Sequence, residues 1–325
     1  MRLNIMNYKN QFAVGVDLGG TNIKIGIVSD SGKILVKSSI PTQAERGPKK
    51  VLDNICEGVS NLISSSKVKI AGIGIGCPGI VLPEEGVVKN PPNLPGWKTV
   101  LVSHIIFEKL HIKTIVENDA NVAAVGELIF GAGKKLNDFI MVTLGTGVGG
   151  GIVINKKVYH GMHGAAGEIG HITINYKGRK CNCGSIGCIE TYAGNQYLKA
   201  RVIEELQFHP DSLIVGLVEN NFEKISPLII QKAASIGDKY SKSVIQNLGM
   251  HLGAAFASIG NAFDITNFIV GGGVAGFGKP LLDSIAHTAS SRVMTPLRNK
   301  IKIIPAKLRN DAGIKGASAL IFNKY

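Results

Sequence analysis

The chain has 325 residues, enough for two lobes with separate hydrophobic cores, and its composition, 45% hydrophobic and 18% charged, is ordinary for a globular protein. It lacks the ~18-residue apolar run of a transmembrane helix and the apolar segment of a signal peptide, and its five cysteines are an odd number, so we expect a cytoplasmic protein with no membrane partner and no disulfide scaffold. The net charge of +13 would suit a nucleic-acid partner, but the basic residues are scattered, so we expect a basic surface and no nucleic-acid binding.

Three short strands are predicted over residues 12 to 40, and the sequence DLGGT, residues 17 to 21, joins the first two. Two glycines at such a turn allow tight folding and leave N–H groups free to face an anion. Asp17 adds a carboxylate at the strand end, and Mg²⁺ prefers one or two carboxylates together with phosphate oxygens. We therefore interpret the turn as a phosphate and Mg²⁺ site rather than a plain hairpin.

A helix is predicted over residues 48 to 66, followed by the strand KIAGIGIG. Gly74, Gly76 and Gly79 match the pattern GxGxxG. Pro78 and the absence of a following helix argue against a dinucleotide site.

The next strand, residues 112 to 117, runs into a helix that begins with DANVAAVGELIF. Asn118 or Asp119 could serve only as the N-cap of that helix. The carboxyl end of a strand is also where open α/β sheets place their chemistry. A carboxylate at this position can be cap and general base together.

Residues 138 to 160 repeat the pattern of the N-terminal strands, with Gly145 aligned on Gly19. Although this turn also matches GxGxxG, a strand follows it, and it lacks the lysine of a P-loop. We interpret it as a second glycine hairpin that cradles phosphates, and the alternative is a glycine bulge without a ligand. The repeat predicts one such unit in each of two lobes.

Residues 168 to 190, EIGHITINYKGRKCNCGSIGCIE, collect one histidine, three cysteines and two carboxylates. A thiolate-rich set of four ligands suits tetrahedral Zn²⁺, and a closed set indicates a structural site. Gly184 and Gly187 mark backbone turns that require φ > 0. The alternative is a loop of free thiols. The expected ligands are His171, Cys181, Cys183 and Cys188.

The remainder is mostly helical, with helices predicted over residues 194–207, 226–247, 248–262, 279–292 and near 312–323, and a shorter piece near 212–219. The strand TNFIV leads into three glycines, residues 271 to 273, and another strand covers residues 300 to 304. Three glycines after a buried strand indicate close approach of a flat ligand such as adenine, although a tight turn alone would also explain them.

The motifs DxGGT, ENDAN, LGTGVGGG, GEIGH and CxCGxxGC, in this order, resemble the ROK family of sugar kinases and related repressors. The resemblance covers nearly the whole chain. It implies an α/β, two-lobed actin-like ATPase (ribonuclease H-like) fold with duplicated mixed-sheet domains and an interlobe cleft. We expect a small lobe of residues 1 to 118, joined by the C-terminal helix 311–325, and a large lobe of residues 119 to 310 that carries the zinc loop.

The same resemblance assigns roles to individual residues of this sequence. It implies that Asp119 is the catalytic base and that His171 binds zinc through one ring nitrogen and the sugar through the other. The implied sugar-binding positions are Gly79, Asn118, Asp119, Glu168, His171 and Glu190. The implied ATP-binding positions are Asp17, Gly19, Gly20, Thr21, Lys24, Gly145, Thr146, Gly147, Gly271, Gly272 and Gly273.

The resemblance implies a kinase that uses ATP, Mg²⁺ and a structural Zn²⁺ to phosphorylate the 6-hydroxyl of a hexose. NPPNLPGW and CIETYAG are most similar to the members that make glucose 6-phosphate from glucose. The alternatives are an N-acetylmannosamine or N-acetylglucosamine kinase, then a fructokinase. A sugar-sensing regulator would need a DNA-binding module, for which the residues before Phe12 are too few. We expect a homodimer, as is common in the family.

Overall fold

The computed structural model of the protein describes residues 11–322. The N-terminal segment assessed above for a signal peptide and the end of the predicted C-terminal helix, residue 323, lie outside this range. Within it, the strands in chain order are β1 (Phe12–Leu18), β2 (Asn22–Ser29), β3 (Ile34–Pro41), β4 (Ile70–Cys77), β5 (Ile80–Leu82), β6 (Val87–Lys89), β7 (Thr99–Val100), β8 (Thr114–Asn118), β9 (Phe139–Leu144), β10 (Val148–Ile154), β11 (Lys157–Val158), β12 (Asn267–Gly271) and β13 (Lys302–Pro305).

The α-helices of the described residues are α1 (Gly47–Ser66), α2 (Val102–Leu110), α3 (Asp119–Phe130), α4 (Glu190–Ala193), α5 (Asn195–Leu206), α6 (Leu213–Leu217), α7 (Pro227–Ser235), α8 (Lys239–Phe263), α9 (Lys279–Arg292) and α10 (Ala312–Ala319). The helices that fall between residues 11 and 322 are all too short or too polar to cross a bilayer.

The chain divides into two compact units. The first unit comprises the described residues up to Leu136, the segment Lys156–Ala166 and the described residues from Asn310. The second unit comprises Asn137–Asn155 and Gly167–Arg309. The first unit therefore continues past residue 118, where the sequence placed the boundary, because α3 packs on α10 and on the sheet strands β4 and β8.

The first unit is built on a mixed sheet with the strand order β3-β2-β1-β4-β8. β1 runs antiparallel to β2 but parallel to β4, which in turn is parallel to β8. The carboxyl ends of three parallel strands consequently meet at one edge of the sheet, the position at which α/β sheets bind ligands. The register pairs Asp17 with Gly76 and Cys77 with Asn118 across this edge.

Glycines let α10 lie directly on this sheet. A Cβ on Gly15 would lie 1.9 Å from the carbonyl oxygen of Ile314, and one on Gly74 would lie 1.7 Å from that of Ala317. The glycine-rich strands thus serve close helix packing as well as turn formation. On α1, which packs against β2 and β3 of this sheet, the predicted apolar face is confirmed, because all four of its members are buried: Val51, Ile55, Val59 and Leu62.

The second unit repeats this arrangement. Its sheet contains β10, β9, β12 and β13 in that order, with β9 antiparallel to β10 and parallel to β12, and β12 parallel to β13. Strand for strand, this matches β2-β1-β4-β8, which confirms the duplicated mixed-sheet fold. Its core is centred on the stacked rings of Phe256 and Phe268, whose centroids lie 4.5 Å apart.

One predicted helix boundary is wrong. The sequence predicted a break between residues 247 and 248, but α8 runs through both, and the break falls at residues 236 to 238. Gly237 adopts φ +108° and Asp238 caps the new helix by accepting the N–H of Ser241 at 2.9 Å. Gly249 marks close packing on α9 rather than a helix end, since its Cβ would lie 2.4 Å from Ser284.

Candidate functional site

The first glycine turn connects β1 to β2 at the sheet edge where the parallel strands end. The N–H of Gly19 donates to the carbonyl oxygen of Asn22 at 3.1 Å, and the Thr42 hydroxyl donates to that of Gly19 at 2.7 Å. Asp17 and Lys24, opposite each other in the β1–β2 register, form an ion pair of 3.3 Å. The turn therefore brings a carboxylate and an ammonium group next to backbone N–H donors, a combination that suits a metal-bound phosphate.

Asn118 is a predicted sugar-binding position and is hydrogen-bonded to another one, Gly79. Its Oδ1 accepts the N–H groups of Ala120 at 2.9 Å and Asn121 at 3.2 Å, which makes Asn118 the N-cap of α3. Its Nδ2 donates to the carbonyl oxygen of Gly79 at 3.0 Å. Gly79 has φ +90°, and Pro91 leaves no room for a Cβ there. The cap and the Cys-Pro-Gly turn after β4 therefore hold each other in place.

Asp119 is the first residue of α3, and its side chain is exposed. Its Oδ1 accepts the N–H of Ala120 at 2.8 Å, and its place in the first turn puts the carboxylate at the positive end of the helix dipole. Asp119 also lies close enough to Cys77 for its charge to act there. Burial and then this charge raise the pKa of the Cys77 thiol well above its usual value. An exposed carboxylate at this position can accept a proton from a ligand.

Behind Asp119 lies a polar group that the sequence analysis missed. Glu117 is only 4% exposed, and its Oε1 accepts the N–H of Asn118 at 2.8 Å and the side-chain amide of Asn121 at 3.0 Å. Its Oε2 lies 2.7 Å from Nε2 of His160. The available sequence signal was a carboxylate that directly follows the apolar residues Ile115 and Val116 in the strand TIVEN.

The hydrogen bond with Glu117 is the main cause of a raised pKa at His160. Burial opposes this increase, and the negative charges of Glu117 and Glu84 add to it.

In the second unit, the glycine turn between β9 and β10 is closed by the N–H of Gly145, which donates to the carbonyl oxygen of Gly147 at 3.0 Å. Glu190 packs against this turn and accepts the N–H of Val148 at 3.0 Å through its Oε2. A Cβ on Gly147 would lie 2.1 Å from the same oxygen. The turn and Glu190 are therefore coupled by direct contact.

The three glycines at the end of β12, residues 271 to 273, have different surroundings. Gly272 has φ +92°, and its Cβ would lie 2.3 Å from the carbonyl oxygen of Leu144, so a tight turn against the end of β9 requires glycine. A Cβ on Gly271 would lie 2.9 Å from the Cβ of Ala306, so this position is also confined. A Cβ on Gly273 would meet nothing within 4 Å. Of the three, Gly273 alone has open space that a ligand could use.

The predicted zinc ligands come together. One ligand atom from each of the four residues lies within 4.8 Å of all the others, and the residues are His171, Cys181, Cys183 and Cys188. Cys183 Sγ lies 3.7 Å from Cys188 Sγ, and Cys181 Sγ lies 3.7 Å from Nδ1 of His171. Tetrahedral Zn²⁺ with ordinary bond lengths requires separations of about 3.8 Å between two sulfurs and about 3.6 Å between sulfur and nitrogen. The geometry and chemistry of these donors fit Zn²⁺.

The loop that presents these ligands depends on two glycines in the left-handed region. Gly184 has φ +93° and Gly187 φ +67°, as predicted from their spacing, and a Cβ on Gly187 would lie 1.6 Å from the carbonyl oxygen of Asn175. Within the loop, burial raises the pKa of Cys188 to about 12. A hydrogen bond from the N–H of Ser185 lowers the pKa of Cys183. Because zinc binds thiolates, loading the site would release protons.

His171 presents its two ring nitrogens to different surroundings. Nδ1 faces Cys181, whereas Nε2 lies 3.9 Å from Oε2 of Glu168. Burial of its carboxylate raises the pKa of Glu168, an effect that His171 opposes and the like charge of Glu190 reinforces. One histidine can thus serve a metal through Nδ1 and leave Nε2 for a polar ligand.

Comparison with known proteins gives four informative matches. The sequence model described as "ROK family" matches residues 13–324. A glucokinase of Halalkalibacterium halodurans is 34% identical over 96% of this chain and 95% of its own length. The crystal structure of a ROK family glucokinase from Streptomyces griseus in complex with glucose and AMPPNP is 34% identical in sequence and has a TM-score of 0.84. The match covers 95% of this chain and 98% of the glucokinase chain. The xylose repressor of Bacillus subtilis is 29% identical over 99% of this chain, which spans 79% of the repressor.

Proposed function

Because this chain belongs to the ROK family, we propose that it is an ATP-dependent sugar kinase that transfers the γ-phosphoryl group to the 6-hydroxyl of glucose. The observation that carries the proposal is the strand register of the first unit. It aligns the end of β1, with its glycine turn, and the end of β8, with Asp119, on either side of β4. A phosphate-binding turn and an exposed carboxylate at one sheet edge are the parts that phosphoryl transfer needs.

Asp119 is the proposed general base. Phosphoryl transfer passes through a loose, in-line transition state, so catalysis depends mainly on positioning and charge neutralisation. A carboxylate with a pKa of ~3.9 is a weak base toward an alcohol, but it suffices when the proton moves late, after the attacking oxygen has become acidic. Base assistance of this kind contributes ~10²- to 10⁴-fold.

We assign ATP to the two glycine turns and to the glycines after β12. Backbone N–H groups of Gly19–Thr21 and Gly145–Gly147 would bind the phosphates, and Gly273 has the open space that an adenosine group would require. Asp17 and Lys24 would hold Mg²⁺ and a phosphate oxygen, respectively. When bound, Mg²⁺ neutralises charge that develops on the transferred phosphoryl group.

We propose polar groups for sugar hydroxyls at the positions that the family resemblance implies. In the first unit they are Gly79 and Asn118, which the 3.0 Å hydrogen bond between them orients. In the second unit they are Glu168, Glu190 and Nε2 of His171. Polar groups of this kind discriminate strongly among sugars, because a missing hydroxyl leaves one of them unpaired.

Zinc has a structural role in this proposal. Its ligands leave no position for substrate, since one histidine and three cysteines complete a tetrahedron. The metal would hold the loop on which His171 and Glu190 are presented. We infer that losing it weakens sugar binding more than ATP binding.

The relationship to a xylose repressor supports a second candidate, a sugar-sensing regulator without catalysis. Purified, zinc-loaded protein should be assayed for ADP release with MgATP and glucose, N-acetylmannosamine, N-acetylglucosamine, mannose or fructose. We expect the highest kcat/KM with glucose. A preference for an N-acetyl sugar would change the substrate but keep the mechanism. Sugar binding by calorimetry without turnover of any sugar would refute the kinase and favour the regulator.

A further inference from the structure

We propose that Glu117 and His160 form a clamp that positions Asp119, so that His160 is a positioning residue for phosphoryl transfer. The inference rests on the proposed function, because it deepens the role of Asp119. Both residues of the clamp, and the residues that hydrogen-bond to the carboxylate of Glu117, belong to the first unit.

Glu117 is the centre of the clamp because its buried carboxylate uses both oxygens. Oε1 accepts two donors, from Asn118 and Asn121, and Oε2 bonds to His160. A buried carboxylate without such partners would be strongly destabilising. The three partners therefore fix the side chain, and through it the backbone that donates to Oε1.

The two residues held by Oε1 lie on either side of Asp119. Asn118 precedes it as the helix cap, and Asn121 follows within the first helical turn. A shift of Glu117 would therefore move the start of α3 and the base with it. Displacing a catalytic group by about 1 Å can cost ~10²-fold in rate, so a small shift is sufficient to matter.

His160 reaches Glu117 from the segment Lys156–Ala166, which separates the two parts of the second unit in sequence. The segment closes on itself through the N–H of Ala166, which donates to the carbonyl oxygen of His160 at 3.1 Å. It is confined near Gly164, whose Cβ would lie 2.8 Å from the carbonyl oxygen of Val81. His160 is thus held in a defined loop and not at a free loop tip.

The clamp has a predictable dependence on pH. The charged groups that face His160 are Glu117, at the end of β8, and Glu84, in the turn between β5 and β6, and both raise its pKa. A raised pKa in the folded state means that the bond is charge-assisted below that pKa and loses this assistance as the pH rises through it. Activity that depends on the clamp should therefore decline on the alkaline side.

The test compares His160→Gln, which keeps an N–H donor but cannot be charged, with His160→Leu, which has no donor. His163→Gln is the matched control, because His163 is exposed in the same segment. For His160→Leu we expect kcat to fall by roughly tenfold with the sugar KM within about twofold of wild type. For His160→Gln we expect a kcat between those of wild type and His160→Leu, close to the level that the wild type reaches above the pKa of His160, and loss of the alkaline decline.

An NMR titration of the His160 imidazole supplies a measurement that does not depend on turnover. Glu117→Gln should move the pKa of His160 down toward its ordinary value, whereas Asp119→Asn should leave it raised. An unchanged His160 pKa in Glu117→Gln, or a normal kcat in His160→Leu beside an active wild type, would overturn the clamp alone. Absence of turnover by the wild type would overturn the proposed function and with it the catalytic part of this inference.

Discussion

Replacing Gly147 with alanine should displace the carboxylate of Glu190 and weaken sugar binding. The new Cβ would lie 2.1 Å from Oε2 of Glu190, which is far too close for two non-bonded heavy atoms. Because this oxygen is at the end of a flexible side chain, we expect the side chain to move and the backbone to stay. The hydrogen bond from the N–H of Val148, 3.0 Å long, is then lost.

The size of the effect follows from that bond. Hydrogen bonds to charged groups contribute ~1.5–3 kcal/mol. Glu190 is only partly buried, so we use the lower end of this range. Losing the bond should therefore destabilise the present position of the carboxylate by ~1.5 kcal/mol. Since 1.4 kcal/mol corresponds to a factor of ten, the glucose KM should rise by about tenfold.

The assay is ADP release with glucose varied at saturating MgATP, and then with MgATP varied at saturating glucose. Gly145→Ala is the control, because it lies in the same turn but its Cβ would meet nothing within 4 Å. Either variant can raise the KM for ATP, since both residues lie in the proposed phosphate turn. A glucose KM that is the same in Gly147→Ala and Gly145→Ala would refute a role for Glu190 in sugar binding.

Three further changes test the remaining parts of the site. Asp119→Asn should lower kcat by ~10²- to 10⁴-fold while glucose binding, measured by calorimetry, persists; near-normal turnover would eliminate Asp119 as the base. Cys183→Ser should reduce the zinc content measured by atomic emission and raise the glucose KM more than the ATP KM; unchanged metal content would exclude the site. Zinc retention against a chelator should decrease as the pH falls, because protons compete for thiols such as Cys188, whose pKa is raised to about 12; equal retention at pH 6 and pH 8 would contradict thiolate ligation.

The coupling between the second glycine turn and the zinc loop gives the predictions a common structural basis. Glu190 follows Cys188, the last of the four predicted zinc ligands, by two residues and contacts the turn through Val148. Its other carboxylate oxygen lies 3.9 Å from Cys181 Sγ. A disturbance of the proposed metal site should therefore reach Glu190, the proposed sugar-binding carboxylate, without altering the first unit, where Asp119 lies.

Local sequence patterns determined much of this protein. Glycines that join two strand-like apolar runs favour a tight hairpin, so both glycine turns could be located from the chain alone. Three cysteines and a histidine within residues 171 to 188 left few ways to arrange the donors, and the four residues do converge. The alignment of Gly19 with Gly145 also predicted the repeat that the two sheets display.

Tertiary structure decided what depends on partners distant in sequence. Gly249 lies inside α8 and lets α9 pack closely against it. This role depends on the contact with Ser284, which no local sequence pattern reveals. The role of Glu117 could not be interpreted from the strand in which it lies, because it depends on His160, which folds onto it from beyond the next three strands. Hydrophobic periodicity and turn chemistry act over a few residues and can be read directly, whereas a buried charge is explained only by the group that neutralises it.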